Sequence, residues 1–365
     1  MPERHPTRRR FLQGSLLGGL AALAGPRLAA AAPTAAKPAP AVPHGPGPVT
    51  ARSRIALTTG DDRVDNVFRG LKEFREEVAR AIGTRTVVIK PNNVAIEIPL
   101  CATHAGCLEG ILEFLKSIGK LGQTVIAESA ANGPTLDGFG NYGYDKVAAR
   151  YGVKMIDLDQ QPFEWVHVFD QTDFRPHAAR MSRLLLDPKT FIISATRMKT
   201  HDRIVATLSL KNVVFGAPLK DLGFRWGKAR KPGIKNDKPI VHGGGARAIN
   251  YNLFDLARRM HPHLSVLDGF QGMEGNGPCF GTPVDHRVCV AGTDWLAADR
   301  VAVALMGIDL GKIGYLSYCI EAGLGQGDLE RIDVIGEPIA RHVKTYRLAK
   351  NIEDQLQWMK PVQVP

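Results

Sequence analysis

From Arg54 to Ile335 short apolar runs alternate with longer stretches whose apolar positions recur every three or four residues. The runs read as strands over Arg54 to Leu57, Thr86 to Ile89, Thr124 to Ala127, Lys154 to Ile156, Trp165 to Phe169, Phe191 to Ala195, Leu264 to Leu267, Arg287 to Ala291 and Asp333 to Ile335. The helical period predicts helices over Val64 to Ile82, His104 to Ile118, Asp145 to Tyr151, Ala246 to Met260, Trp295 to Met306 and Ile313 to Ala322. In the first of these Val64, Val67, Phe68, Leu71, Phe74, Val78 and Ile82 keep to one helical face. Strands that are β-branched and apolar on both faces, separated by helices, call for an α/β fold: a mostly parallel sheet with helices on both faces. The pattern shows no internal repeat, and it predicts one α/β domain over residues 51–345 with a tail over 346–365.

In such a sheet ligands gather outside the carboxyl ends of the strands. Lys90, Asn92 and Asn93 follow one run, Glu128 and Ser129 the next, then Asp157 and Asp159, then Lys199 and His201, then Asp268. A polar strand end alone means little, because loops are solvated. The mixture of Lys, Asn and His with Asp and Glu beside glycine-rich turns favours a site over a bland surface.

The first residues change the picture of where the chain works. Thr7-Arg8-Arg9-Arg10-Phe11-Leu12-Gln13 looks like a twin-arginine export signal, with a short apolar run from Gly14 to Gly25 and small residues at 29–31. Residues 1–32 are therefore expected to be a signal peptide, residues 33–50 a Pro/Ala-rich linker, and the location periplasmic or otherwise extracytoplasmic. The apolar run is too short to predict a permanent membrane span. The twin-arginine machinery would then be a partner. The formal charge of +11 includes five Arg and one Glu of that segment, which leaves +7 for the remainder. Much of the excess lies between Lys220 and Lys238, where seven Lys or Arg meet two Asp with no regular period. For an exported protein such a loop suits a small anion or an envelope surface better than nucleic acid, and a solvated loop without a ligand is the plainer alternative.

Cys101, Cys107, Cys279, Cys289 and Cys319 include no C-x-x-C pair, which argues against a zinc ribbon or a ferredoxin-type cluster. Cys101 and Cys107 could pair across their loop, a point that spacing leaves open. No G-x-S-x-G elbow is present, and "GGGAR" is not a dinucleotide fingerprint.

Taken in order, "VVIKPNNV" at 87–94, "RMKTH" at 197–201, "LSLKNVVFG" at 208–216 and "DGFQGMEGNGP" at 268–278 resemble the domain of unknown function 362 family. "GTDWLAADRVAVALMG" at 292–307 and "GLGQGDLERIDVIGE" at 323–337 continue the resemblance, which extends from about Ile55 to Glu337. The family implies no settled reaction. Some members carry an iron-sulfur module, and without a matching cysteine cluster no iron-sulfur cluster is expected here.

The residues themselves suggest roles. Lys90, Lys199 and Lys211 can donate to phosphate or carboxylate oxygens, and a buried lysine can also serve as a base. Lys199, His201 and Lys211 are the catalytic candidates, with His201 either an acid/base, a metal ligand or a structural imidazole. Lys90, Asn92, Asn212, His242 and Asn276 are the substrate-binding candidates; His242 stands at the rim of a glycine turn whose N–H groups could cradle an oxyanion. Asp268 and Glu274 are candidates for a divalent cation. Asp294 and Asp299 lie at the start of the next helix, and Asp294 suits its N-cap as well as a cation site. Two functions remain open: an exported enzyme acting on a small anionic substrate, or a non-catalytic periplasmic protein that binds an anion or metal complex.

Overall fold

The computed structural model describes residues 47–225 and 233–361. The signal and nearly all of the linker lie outside them, as does the middle of the basic run, including Trp226.

Every expected strand is present. In chain order the strands are β1 (Ser53–Thr59), β2 (Thr86–Lys90), β3 (Thr124–Glu128), β4 (Lys154–Asp157), β5 (Phe163–Asp170), β6 (Arg175–Ser182), β7 (Thr190–His201), β8 (Val205–Thr207), β9 (Leu264–Asn276), β10 (Phe280–Gly292) and β11 (Ile332–Gly336). Nine form one sheet in the order β11-β1-β10-β9-β7-β2-β3-β4, with β8 added to β7. Pairing is parallel from β9 through β7, β2 and β3 to β4, and again between β1 and β11. β10 runs antiparallel to both its neighbours and stitches the two parallel regions together.

Alternation along the strands divides the core. Ala56, Val87, Ile89, Phe191 and Ile193 pack on one face beneath the helices Arg63–Lys72, Arg75–Ile82, Ala105–Ser117 and Tyr144–Tyr151. Ile55, Leu57, Val88, Ile192, Val288 and Val290 pack on the other, under Ser209–Val214, Gly245–Ala257, Trp295–Leu305 and Gly314–Glu321. This is the α/β sheet covered on both sides that the periodicity demands. The β5–β6 hairpin forms a second, two-stranded sheet.

Four departures from the sequence reading have physical reasons. The helix expected from Val64 to Ile82 is two helices, broken at Glu73 and Phe74. The break keeps the buried stripe in phase, with Val67, Leu71, Phe74, Val78 and Ile82 all in one core, so periodicity cannot reveal it. β6 has Arg175, Pro176, His177 and Arg180 where alternation would show apolar residues, yet it pairs with β5 over its full length. Residues 346–361 are not a loose tail: Tyr346 and Gln355 are buried, and Gln355 Oε1 accepts from the Val205 amide at 2.5 Å.

The fourth departure shapes the site. β7 does not stop at Ala195 but continues to His201, and all twelve of its residues are buried. Its polar half is held between β9 and β8, Arg197 pairing with Asp268 and Lys199 with Thr207. Lys199 and His201 are thus strand residues inside the protein.

Candidate functional site

Lysine is seldom buried, because its ammonium loses hydration that only an anion or several acceptors can replace. Here Lys90 and Lys199 are 0% exposed and Lys211 is 4% exposed. Lys220 and Lys238, the two ends of the basic run, are buried as well.

The first part of the cluster is a closed polar network. Lys90 ends β2 and Glu128 ends the neighbouring β3, so parallel pairing sets the two side chains together. Lys90 Nζ donates to Glu128 Oε1 and Oε2 at 2.8 and 2.9 Å, and to the Pro91 carbonyl at 3.0 Å. The same carboxylate accepts from the Asn93 and Ser129 amides at 3.0 and 2.8 Å. Asn212 Oδ1 accepts from Asn92 Nδ2 at 3.0 Å, while Asn212 Nδ2 donates to Ser194 Oγ and the Lys90 carbonyl at 3.0 and 3.1 Å. Asn92 Oδ1 in turn accepts from Lys199 Nζ at 2.5 Å, and Lys199 also donates to the Cys101 carbonyl at 2.5 Å. Burial lowers the Lys90 pKa against the pull of Glu128, and burial brings Lys199 down to about 8.

The second part is open. Lys211 sits in the six-residue helix Ser209–Val214, whose first amides are held by the buried Asp299: Ser209 N at 2.8 Å, Ser209 Oγ at 2.5 Å and Leu210 N at 3.2 Å. Desolvation raises Asp299 to about 7. Among the described residues the Lys211 ammonium has no hydrogen bond and no ion pair; it lies over the Phe215 ring, 5.8 Å from the centroid. Desolvation first, then the neighbouring Lys199, bring Lys211 down to about 7 against the weaker pull of the Asp202 carboxylate, which forms no ion pair with it.

Two imidazoles complete this part. His201 Nδ1 accepts from the Arg203 amide at 2.9 Å, which places the neutral ring's proton on Nε2, although the Asp202 carboxylate stands 3.3 Å from the same Nδ1. His242 Nδ1 faces the Lys238 carbonyl at 2.9 Å and must donate to it, which leaves Nε2 as a bare acceptor. Burial first and Lys211 second hold both rings well below the usual histidine range. His242 also packs against Phe215 at a tilt of 51°, ring centroids 4.4 Å apart. One imidazole therefore offers an N–H and the other a lone pair, beside an ammonium that no carboxylate among the described residues pairs.

A third group lies across Gly216. Asp159 accepts from Ser129 Oγ at 2.6 Å, from the Lys220 amide at 2.9 Å and from the Lys220 ammonium. Lys238 donates to the Gly216 and Pro218 carbonyls at 3.0 and 2.6 Å, and burial brings it to about 7. Glu128, Asp159, Lys220, Lys238 and Asp299 are site residues that the sequence reading did not select. Glu128 and Asp159 stood in its list of strand-end residues, and that signal could have found them.

Other candidates lie elsewhere. The amides at the start of Gly245–Ala257 do not form an open cradle, because Gln171 Oε1 accepts from Arg247 N and Ala248 N at 2.7 and 3.1 Å. Asn276 Oδ1 accepts from the Lys350 amide at 2.9 Å. Asp268 faces Arg63 at 3.2 Å, and Glu274 faces Arg347 at 3.4 Å. The two carboxylates have different arginine partners, and among the described residues no group of three or more His, Cys, Asp or Glu is placed to hold a metal ion. Asp294 is the expected helix cap, accepting from Leu296 N and Ala297 N at 3.0 Å each.

Fold and site together define an α/β protein with a buried, lysine-rich centre beside its parallel strands. Residues 87–304 match the model of the family described as domain of unknown function, DUF362, and the chain belongs to that family. Over 264 residues it is also 23% identical to a thylakoid-associated protein of Synechocystis sp., an alignment covering 72% of this chain and 75% of the relative. Among the described residues no helix is long and apolar enough to cross a membrane.

Proposed function

We propose that this chain is an exported enzyme that binds a small phosphate- or carboxylate-bearing substrate at Lys211 and moves a proton on it with His201 and His242. The observation that carries the reading is Lys211: a buried ammonium with no ion-pair partner among the described residues, beside two neutral imidazoles of opposite hydrogen-bonding sense. An anion there would supply the missing counter-charge and raise the lysine's proton affinity, so binding and protonation reinforce one another. Lys199 adds a second cationic neighbour, held in place by Asn92. His242 Nε2 acts as the base and His201 Nε2–H as the donor to an oxygen that gains charge. Export rests on the arginine pair and apolar run at the N-terminus.

Calorimetric titration with inorganic phosphate and with oxalate, for the wild type and Lys211→Met, tests the binding step. Saturable binding that is lost in the variant is expected, and equal behaviour of the two proteins overturns the reading. NMR in D2O with a panel of 2-oxo acids and phosphate esters tests the proton step. Exchange or cleavage that slows in His242→Gln while anion affinity persists is the expected result. Tight binding with neither exchange nor cleavage in the wild type would favour the non-catalytic binding protein.

A further inference from the structure

The lysine centre has a neighbour that the proposed reaction leaves unused. Cys101 closes the short turn Pro99–Cys101 and is fully buried, its Sγ accepting from the Ala95 amide at 3.4 Å. Cys279 lies in the turn between β9 and β10 and is partly exposed. Although 178 positions separate them in the chain, both pack with Ala95 and Met273 in one small cluster. The turn that carries Cys279 is fixed against β7: a Cβ on Gly277 would lie 1.9 Å from the Thr200 carbonyl oxygen. The turn that carries Cys101 is fixed by the Lys199 ammonium on its carbonyl. Cys107, the alternative neighbour suggested by spacing, is instead buried in a core on one face of the sheet, together with Cys289.

We infer that Cys101 and Cys279 form a reversible dithiol–disulfide site, oxidised by exchange with small disulfides and positioned beside Lys199. Cys279, the more exposed of the two, attacks the incoming disulfide while its proton passes to the departing small thiolate, leaving a mixed disulfide. The Cys101 thiolate then attacks the Cys279 sulfur and expels the second. One S–S bond is consumed and one formed, the protein is oxidised by two electrons, and both thiol protons finish on the two small thiols. The local charges support the second step: the neighbouring Cys279, then Lys199 and Arg197, bring the Cys101 thiol down to about 6, while the same contact holds the Cys279 thiol up. Cys107, Cys289 and Cys319 are buried beyond the reach of a small disulfide, whereas Cys279 is partly exposed, so the exchange is selective. The inference is independent of the anion reading, since it concerns sulfur chemistry alone.

The test uses the purified protein equilibrated with reduced and oxidised glutathione, then denatured in acid and alkylated. Alkylated thiols fall from five to three in the oxidised sample, and peptide mapping finds Cys101 joined to Cys279. Cys279→Ser loses the bridge, whereas Cys289→Ser retains it. Five alkylated thiols at every glutathione ratio, a lasting glutathione adduct on Cys279, or a bridge between other cysteines would overturn the inference.

Discussion

Lys90 and Lys211 are both buried, lie in the same cluster and feel each other's charge, yet they solve burial in opposite ways. Lys90 has a carboxylate, a carbonyl and an amide oxygen around it, and Glu128 has donors for both of its oxygens. Lys211 has an aromatic face, two neutral imidazoles and, beyond ion-pair distance, only the half-exposed Asp202 carboxylate. A saturated pair has nothing left to offer a ligand, whereas an unsaturated ammonium is a standing demand for one. Identical side chains a few residues from one another in space thus divide into scaffold and reactive centre by partner count alone.

The sharpest way to break this contrast is to unsaturate Lys90. Glu128→Ala should cost about 3–5 kcal/mol, the usual penalty for stranding one member of a buried ion pair, read as a lowered midpoint in chemical denaturation. Lys211→Met should act in the opposite direction. At pH 6 it should stabilise the fold by roughly 1–3 kcal/mol, the range for a buried polar group without a partner, while abolishing anion binding. A midpoint that falls as far as in Glu128→Ala would erase the distinction between the two lysines.

The pH dependence sharpens the same contrast. Lys211 and Lys238 at about 7 and Lys199 at about 8 all lie below the ordinary 10.5. The unfolded chain therefore binds more protons between about pH 7 and 10.5, and stability rises with pH across that window. Lys211→Met should flatten that rise, and wild-type anion affinity should fall as the pH passes about 7. Asp299 contributes with the other sign: its carboxyl is raised from 3.8 to about 7, so the stability tied to its proton is full below about 4 and is lost by about 7. Asp299→Asn should remove that slope at a cost of about 1 kcal/mol, near the worth of one hydrogen bond, as followed by melting temperature against pH. At the bottom of the scale, Arg52→Ala breaks an ion pair whose members are both about half exposed and should leave the melting temperature and anion binding unchanged.

Strand and helix positions were legible because burial on two faces leaves a strong periodic imprint, as in Val87–Ile89 and Phe191–Ile193. β6 and the second half of β7 left none, since their polar side chains are satisfied by partners distant in sequence. At the site, residue type identified Lys90, Asn92, Lys199, His201, Lys211, Asn212 and His242, all of which the fold brings into one connected region. It could not distinguish Lys90 from Lys211, because that difference resides in Glu128, thirty-eight positions further along the chain. Asp268 and Glu274 suited a cation by type, and their arginine partners, Arg63 and Arg347, lie too far off in sequence to be foreseen.

Gly216 bears no functional group and has no part in any proton movement. A Cβ there would fall 2.2 Å from Lys90 Nζ and 2.5 Å from the Asn212 carbonyl oxygen, and the second of these is backbone that cannot swing aside. Shortening Lys90 would relieve only half of the conflict, so no compensating change at position 90 makes alanine tolerable at 216. A saturation screen scored on protein abundance would therefore rank this silent glycine with the lysines it adjoins. What it contributes to the chemistry is a missing methyl group, and the volume left empty is occupied by an ammonium.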